Sequence, residues 1–150
     1  MVIKISHSEI KEKIIHAGLK ATHQRIVIYA ALMQMCDHPT AEKIFENIAA
    51  ANPSISMGTL YKTLDHLVAV NLIAKVKSDE GSYRYDANVD NHNHIYCTNT
   101  NEILDYEDHE LDVILEEYFK NKKIKNLKIT DIRLQINGER LDLKKAISIQ

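Results

Sequence analysis

The apolar positions of this chain change period part-way along it, from helical spacing to strand alternation. Ile10, Ile14 and Ile15 sit at helical spacing within 8–17, a stretch opened by a serine cap and closed by Gly18. Thr22 caps a second helix predicted over 23–35, with Ile26, Ile28, Tyr29, Leu32 and Met33 on its apolar side. Thr40, just after Pro39, caps a third over 41–51, which stops before Pro53. A fourth begins at Ser54 or Ser56 and runs to Val70 on the stripe Leu60, Leu64, Leu67 and Val68.

Strand-like runs follow. Residues 72–77 and 82–86 flank Ser78-Asp79-Glu80-Gly81, a good hairpin turn. Helices followed by a two-stranded wing form the winged-helix arrangement, in which the last helix before the wing enters the major groove. The rest of the chain reads β-β-α-β. Strands are predicted over 94–98 and 102–106 around Asn99-Thr100-Asn101. An amphipathic helix over 109–120 carries Leu111, Ile114, Leu115 and Tyr118, and a last strand over 127–137 alternates on Leu127, Ile129, Ile132, Leu134 and Ile136 with one slip. The expected fold is α+β: an N-terminal winged-helix DNA-binding domain, 1–84, followed by a small α/β dimerisation domain, 85–150. A half this small cannot bury all its apolar faces alone, so a homodimer is expected.

Composition narrows the class. The chain has 150 residues, 45% of them hydrophobic, with four glycines and two prolines, so it is globular. No apolar run approaches the roughly 20 residues of a membrane span. The start, Met1-Val2-Ile3-Lys4, lacks a signal-peptide core, so the expected location is the cytoplasm, with no membrane partner. Two cysteines, Cys36 and Cys97, are too few for a disulfide framework or a four-thiolate zinc site. The formal net charge of −2 is unevenly divided: residues 1–84 hold 10 basic and 8 acidic side chains, residues 85–150 hold 9 and 13. A mildly basic first half and an acidic second half fit a DNA-binding part followed by a metal-holding part.

Two groups of residues carry candidate chemistry. At the start of the fourth helix, Ser56, Thr59, Tyr61 and Lys62 offer hydroxyls and a cation suited to phosphates, base edges and thymine methyls. An ordinary solvated helix start is the equal alternative for that segment, and the wing that follows favours DNA. Arg25, at the start of the second helix, can touch a phosphate, with a plain surface arginine as the alternative. The second group centres on His92 and His94, which at i and i+2 share one face of a strand. Asp86 and Asp105 stand on flanking strand-like runs. Imidazoles and carboxylates on neighbouring strands suit a hard-to-borderline divalent metal. His38, before Pro39, reads locally as a turn residue.

Lys20-Ala21-Thr22-His23-Gln24-Arg25, His38-Pro39-Thr40-Ala41, Ile55-Ser56-Met57-Gly58-Thr59-Leu60-Tyr61, Tyr83-Arg84-Tyr85-Asp86, His92-Asn93-His94-Ile95-Tyr96-Cys97 and Ile103-Leu104-Asp105-Tyr106 together resemble the ferric uptake regulator (Fur) family, over roughly residues 8–136. Within it the chain is most similar to the peroxide-responsive repressors (PerR). The resemblance implies one regulatory Fe²⁺ or Mn²⁺ site per subunit on His38, Asp86, His92, His94 and Asp105, and double-stranded operator DNA as partner. Asp105 marks the subtype, because iron-sensing members usually carry Glu there. The resemblance also implies the trigger: Fe²⁺ and hydrogen peroxide oxidise a ligand histidine, His38 or His92, and the repressor leaves its operator.

The departures matter too. Family members commonly hold a structural zinc on two Cys-x-x-Cys pairs. Here Cys97 starts the first pair, Thr100 replaces its partner, and 136–150 holds no cysteine. Structural zinc closes with four ligands, so none is expected here. The family's proline at position 23 is His23, and its histidine pair before the last strand is Asp131 and Ile132. Three rivals stand beside the leading reading. They are a regulator answering to iron or manganese level alone, a thiol sensor using Cys36, and a small non-haem metalloenzyme.

Overall fold

The computed structural model describes residues 5–78, 80–90 and 92–149. Asp79 of the expected hairpin turn, Asn91 before the histidine strand, and residues 1–4 lie outside them. The described residues form helices α1 (His7–His16), α2 (His23–Gln34), α3 (Ala41–Ala49), α4 (Met57–Ala69) and α5 (His109–Lys122). The strands are β1 (Ala74–Lys77), β2 (Tyr83–Asp86), β3 (Asn93–Cys97), β4 (Ile103–Tyr106) and β5 (Gln135–Gly138). The chain divides after Val89 into two compact units.

The first unit is a helical core with a β-hairpin. Each helix starts on a side-chain cap that satisfies an otherwise orphaned amide. Ser6, rather than Ser8, opens α1, because Glu9 stands three residues on and completes a capping box with the Ser6 amide. Thr22, Thr40 and Ser56 cap α2, α3 and α4. Gly18 closes α1 in a left-handed turn in which Leu19 N–H reaches the Ile14 carbonyl. Asn71, at φ 59°, closes α4 in the same way, with Leu72 N–H donating to Leu67. Ile14, Ile28, Leu32, Ile44, Leu60, Leu64 and Leu67 are fully buried together. Each such side chain contributes about 1.5–3 kcal/mol of transfer free energy. Strands β1 and β2 pair antiparallel from Ala74 opposite Asp86 to Lys77 opposite Tyr83, and β2 packs on α2 and α3. The loop is closed by Ser78, whose amide and hydroxyl both donate to the Ser82 carbonyl.

The second unit is a three-stranded sheet in the order β4-β3-β5, with β3 antiparallel to β4 and parallel to β5. Its buried apolar residues are Tyr96, Cys97 and Ile103. Helix α5 buries none, and Val113, Ile114 and Tyr118 are exposed. The last strand is shorter than the apolar alternation predicts. Residues 127–134 are not strand; Leu127 and Ile129 are exposed, and pairing runs only from Gln135 opposite His94 to Gly138 opposite Cys97. A strand exists where its backbone has a partner, and β3 offers an edge of only this length.

Both units fit the expected α+β class, a winged helix followed by a small α/β unit.

Candidate metal centre

In the first unit, Asp86 ends β2 and His38 sits in the bend between α2 and α3. The His38 Nε2 and Asp86 Oδ2 atoms are 3.2 Å apart, and both residues are buried. Read locally, the sequence makes His38 a turn residue, which its backbone is: it has φ 49°, a left-handed conformation rare outside glycine. What the local pattern could not show is that the turn folds the imidazole inward onto Asp86 of a distant strand, where Arg84, 46 residues on from His38, also reaches the His38 carbonyl.

In the second unit, the β3–β4 register sets Asp105 directly opposite His94. Asp105 Oδ1 lies 3.1 Å from His92 Nε2 and 3.6 Å from His94 Nε2. The two rings meet edge to face at 4.6 Å. His92 precedes β3, and its Nδ1 pairs with the Asp90 carbonyl. That pairing puts the Nδ1 proton on the carbonyl and leaves Nε2 turned toward the carboxylate. A bare ring nitrogen and a carboxylate oxygen at this distance need a proton or a cation between them. Asn93 points its side chain to the other face, where its carbonyl accepts from Leu134 N–H at 2.9 Å. The His-x-His alternation therefore leaves two imidazoles on one face and a structural amide on the other. Each unit thus brings its own candidate donors together, and the nitrogen and oxygen set, without thiolate, fits Fe²⁺ or Mn²⁺.

Cys97 ends β3, buried, beside a polar clasp that the sequence gives little hint of. Asn99 Nδ2 donates to the Arg140 carbonyl at 3.0 Å, and the Arg140 amide donates back to Asn99 Oδ1 at 2.9 Å. The Arg140 guanidinium meets Glu102 at 2.8 Å, and the Thr100 hydroxyl donates to the same carboxylate. Hydrogen bonding from Thr100, with backbone amides of Arg140 and Asn99, holds the Cys97 thiol below its ordinary pKa against the opposing effect of burial. The clasp ties the β3–β4 turn to the segment after β5 across a separation of about forty residues, which no local pattern reveals. Asn99→Ala should lower the unfolding free energy of the full protein by about 0.5–1.5 kcal/mol by denaturant titration, because it removes both hydrogen bonds to the Arg140 main chain and leaves those groups to water.

The DNA-contact candidates lie together on or near α4. Ser56 caps Thr59 N–H and donates its own proton to Thr59 Oγ1 at 3.0 Å. Lys62 is exposed. Tyr61 is exposed, and its hydroxyl donates to Glu42 at 2.7 Å, which holds the Glu42 carboxyl below its usual range and pushes the phenol up. Arg25 is half-buried and engaged: its guanidinium donates to the Lys20 carbonyl at 2.9 Å and faces His66 Nδ1 at 3.2 Å. Cys36 is exposed, not the buried inert thiol that a lone cysteine usually is.

The ferric uptake regulator family model matches residues 16–137. The chain belongs to that family. It is 30% identical over 122 residues to the peroxide-responsive repressor PerR of Staphylococcus epidermidis, covering 81% of this chain and 79% of that protein. Among solved structures, the peroxide stress regulator of Campylobacter jejuni matches with a TM-score of 0.65 and 25% identity, over 91% of this chain and 96% of its own. The ferric uptake regulator of Pseudomonas aeruginosa, solved with manganese, matches in fold with a TM-score of 0.75 at 22% identity, over 88% and 98% of the two chains. Fur-family proteins are metal-responsive transcription regulators that bind DNA and work as dimers, not enzymes. Among the described residues of this member, no helix is long and apolar enough to cross a membrane.

Proposed function

We propose that this Fur-family regulator is a peroxide-sensing repressor in the cytoplasm. In this reading the first unit binds operator DNA and the second pairs two subunits. One Fe²⁺ or Mn²⁺ ion per subunit is held jointly by His38, Asp86, His92, His94 and Asp105. The observation that carries it is the convergence of donors within each unit: His38 with Asp86, and His92 and His94 on Asp105. Two or three donors each fall short of the coordination that Fe²⁺ or Mn²⁺ takes, and together they approach it. Shared ligation ties the two units, which biases the dimer toward one arrangement with its two α4 helices at groove spacing.

Ferrous iron held by these residues would supply the chemistry for a net transfer of one oxygen atom from hydrogen peroxide to an imidazole C–H, the other oxygen leaving as water. By the family resemblance His38 and His92, each buried against a carboxylate, would be the rings that take up the oxygen. An oxidised ring donates poorly to a metal, so His38 or His92 would drop out of the shared donor set and the tie between units would fail. Ser56, Thr59, Tyr61, Lys62 and Arg25 are the proposed DNA contacts. Tyr61 exchanges its bond to Glu42 for one to the duplex, and Arg25, anchored by Lys20 and His66, meets the backbone. The Asn99–Arg140–Glu102 clasp closes the end of the sheet without structural zinc.

The test is a gel shift on the protein's own promoter, with chelator and with Mn²⁺. The expected result is Mn²⁺-dependent retardation lost on chelation, with one Mn²⁺ and no stoichiometric zinc per subunit by metal analysis. Binding indifferent to Mn²⁺ would remove the proposal. Asp105→Glu separates it from a regulator of metal level alone: repression with Mn²⁺ persists, while release by peroxide slows. Cys36→Ser, with peroxide response unchanged, removes the thiol alternative.

A further inference from the structure

The first unit contains a connection that reaches beyond the proposed metal tie. His38 holds φ 49°, and Pro39 stiffens the next step. The last three residues of β2 grip this bend one after another. Arg84 Nη1 donates to the His38 carbonyl at 3.4 Å, Tyr85 N–H donates to the Pro39 carbonyl at 2.9 Å, and Asp86 Oδ2 lies 3.2 Å from His38 Nε2. The backbone bond is the strongest of these by geometry, and the Arg84 contact is long. Strand β2 is half of the wing. Its ladder to β1 starts with Asp86 opposite Ala74, and β1 begins five residues beyond the last residue of α4. Tyr85, between the two gripping side chains, is buried in the core, so β2 cannot swing freely. A continuous run of bonds therefore leads from the His38 bend through β2 and β1 to the end of the helix proposed to enter the groove.

We infer that the wing hairpin is a second output of the His38 site, set by whether His38 keeps its left-handed conformation with its imidazole toward Asp86. This deepens the proposed function and rests on its reading of His38 as ligand and oxidation target. The signal stays inside the DNA-binding unit and acts in addition to any change in how the two units are tied. When the imidazole is released, the left-handed backbone loses the contact that offsets its strain. The Pro39 carbonyl then shifts, and β2 with it. Arg84 is a positioning residue in this scheme: it holds the carbonyl of the bend.

Amide hydrogen exchange on the full-length protein, read by mass spectrometry over peptides spanning 71–77 and 80–86, tests it in two arms. In the metal-free arm, His38→Ala and His38→Gly both lack the imidazole, but only glycine adopts positive φ without cost. The wing peptides should exchange about five- to tenfold faster in the alanine variant than in the glycine variant. Equal exchange in the two variants would overturn the inference. In the second arm, wild-type protein is compared with and without saturating Mn²⁺, with uptake measured by calorimetry on the same sample. The wing should exchange at least about threefold more slowly with Mn²⁺. Arg84→Met should lose most of that difference, and Arg84→Lys should recover part of it. A wing that ignores bound Mn²⁺ overturns the inference even if the metal reading stands. Wild-type protein that takes up no Mn²⁺ overturns the metal reading, and with it the wing as an output of that site, while the alanine–glycine pair still reports the mechanical link alone.

Discussion

Fe²⁺-loaded protein treated with a small excess of hydrogen peroxide should lose about a hundredfold in operator affinity, and Mn²⁺-loaded protein should lose none. The factor corresponds to about 3 kcal/mol of bias between the DNA-competent arrangement and the others, an ordinary coupling energy between two sites. Mn²⁺ occupies the same nitrogen and oxygen donors but does not give up an electron to peroxide under these conditions, so it is the control that separates binding from oxidation. Mass spectrometry of the released protein should show the mass of one oxygen atom added to the peptide holding His38 or to that holding His92. These two rings are buried beside carboxylates at 3.2 and 3.1 Å. Complete release with every histidine unmodified would end the peroxide mechanism. Oxidation confined to the exposed Cys36 would move the trigger to the thiol.

His94→Ala should bring operator affinity in Mn²⁺ down to the level of chelated wild type, again about a hundredfold. The reason lies in the sheet. The β3–β4 register sets His94 against Asp105, and Asp105 also meets His92, so one substitution unsettles three donors. A second readout guards against simple misfolding. At one hundred times its dissociation constant, Mn²⁺ should raise the unfolding free energy of wild type by about 2.7 kcal/mol. The variant should show no such rise, while its metal-free melting stays close to wild type. A variant that melts normally and still represses with Mn²⁺ would remove His94 from the ligand set.

Much of this was legible in the sequence. Three of the four first-unit caps, Thr22, Thr40 and Ser56, are local choices, and each appears where a capping residue precedes an apolar periodic run. The His92-x-His94 pair was equally local, since alternation along a strand needs no distant partner. His38 was not. Its approach to Asp86 depends on a left-handed backbone and on a strand bond from Tyr85, neither of which leaves a periodic trace. The Asn99–Arg140 clasp was hidden for the same reason. The overlong last strand erred in the opposite direction. The alternation of Leu127 and Ile129 is real, but strand formation is decided by the neighbouring edge, and these side chains stay exposed.

Helix α5 buries not one of its fourteen residues within its own chain. In a family that works as dimers, such a helix makes abundance part of the control. Cover for α5 supplied by a second copy becomes scarcer as the protein is diluted, because association falls with the concentration of the partner. Below the concentration at which copies meet, a helix left uncovered would be open to fraying and proteolysis, and scarce protein would be removed faster than plentiful protein. Gene dosage would then act on occupancy more than proportionally, and a cell could set the sensitivity of its response by how much of this protein it makes.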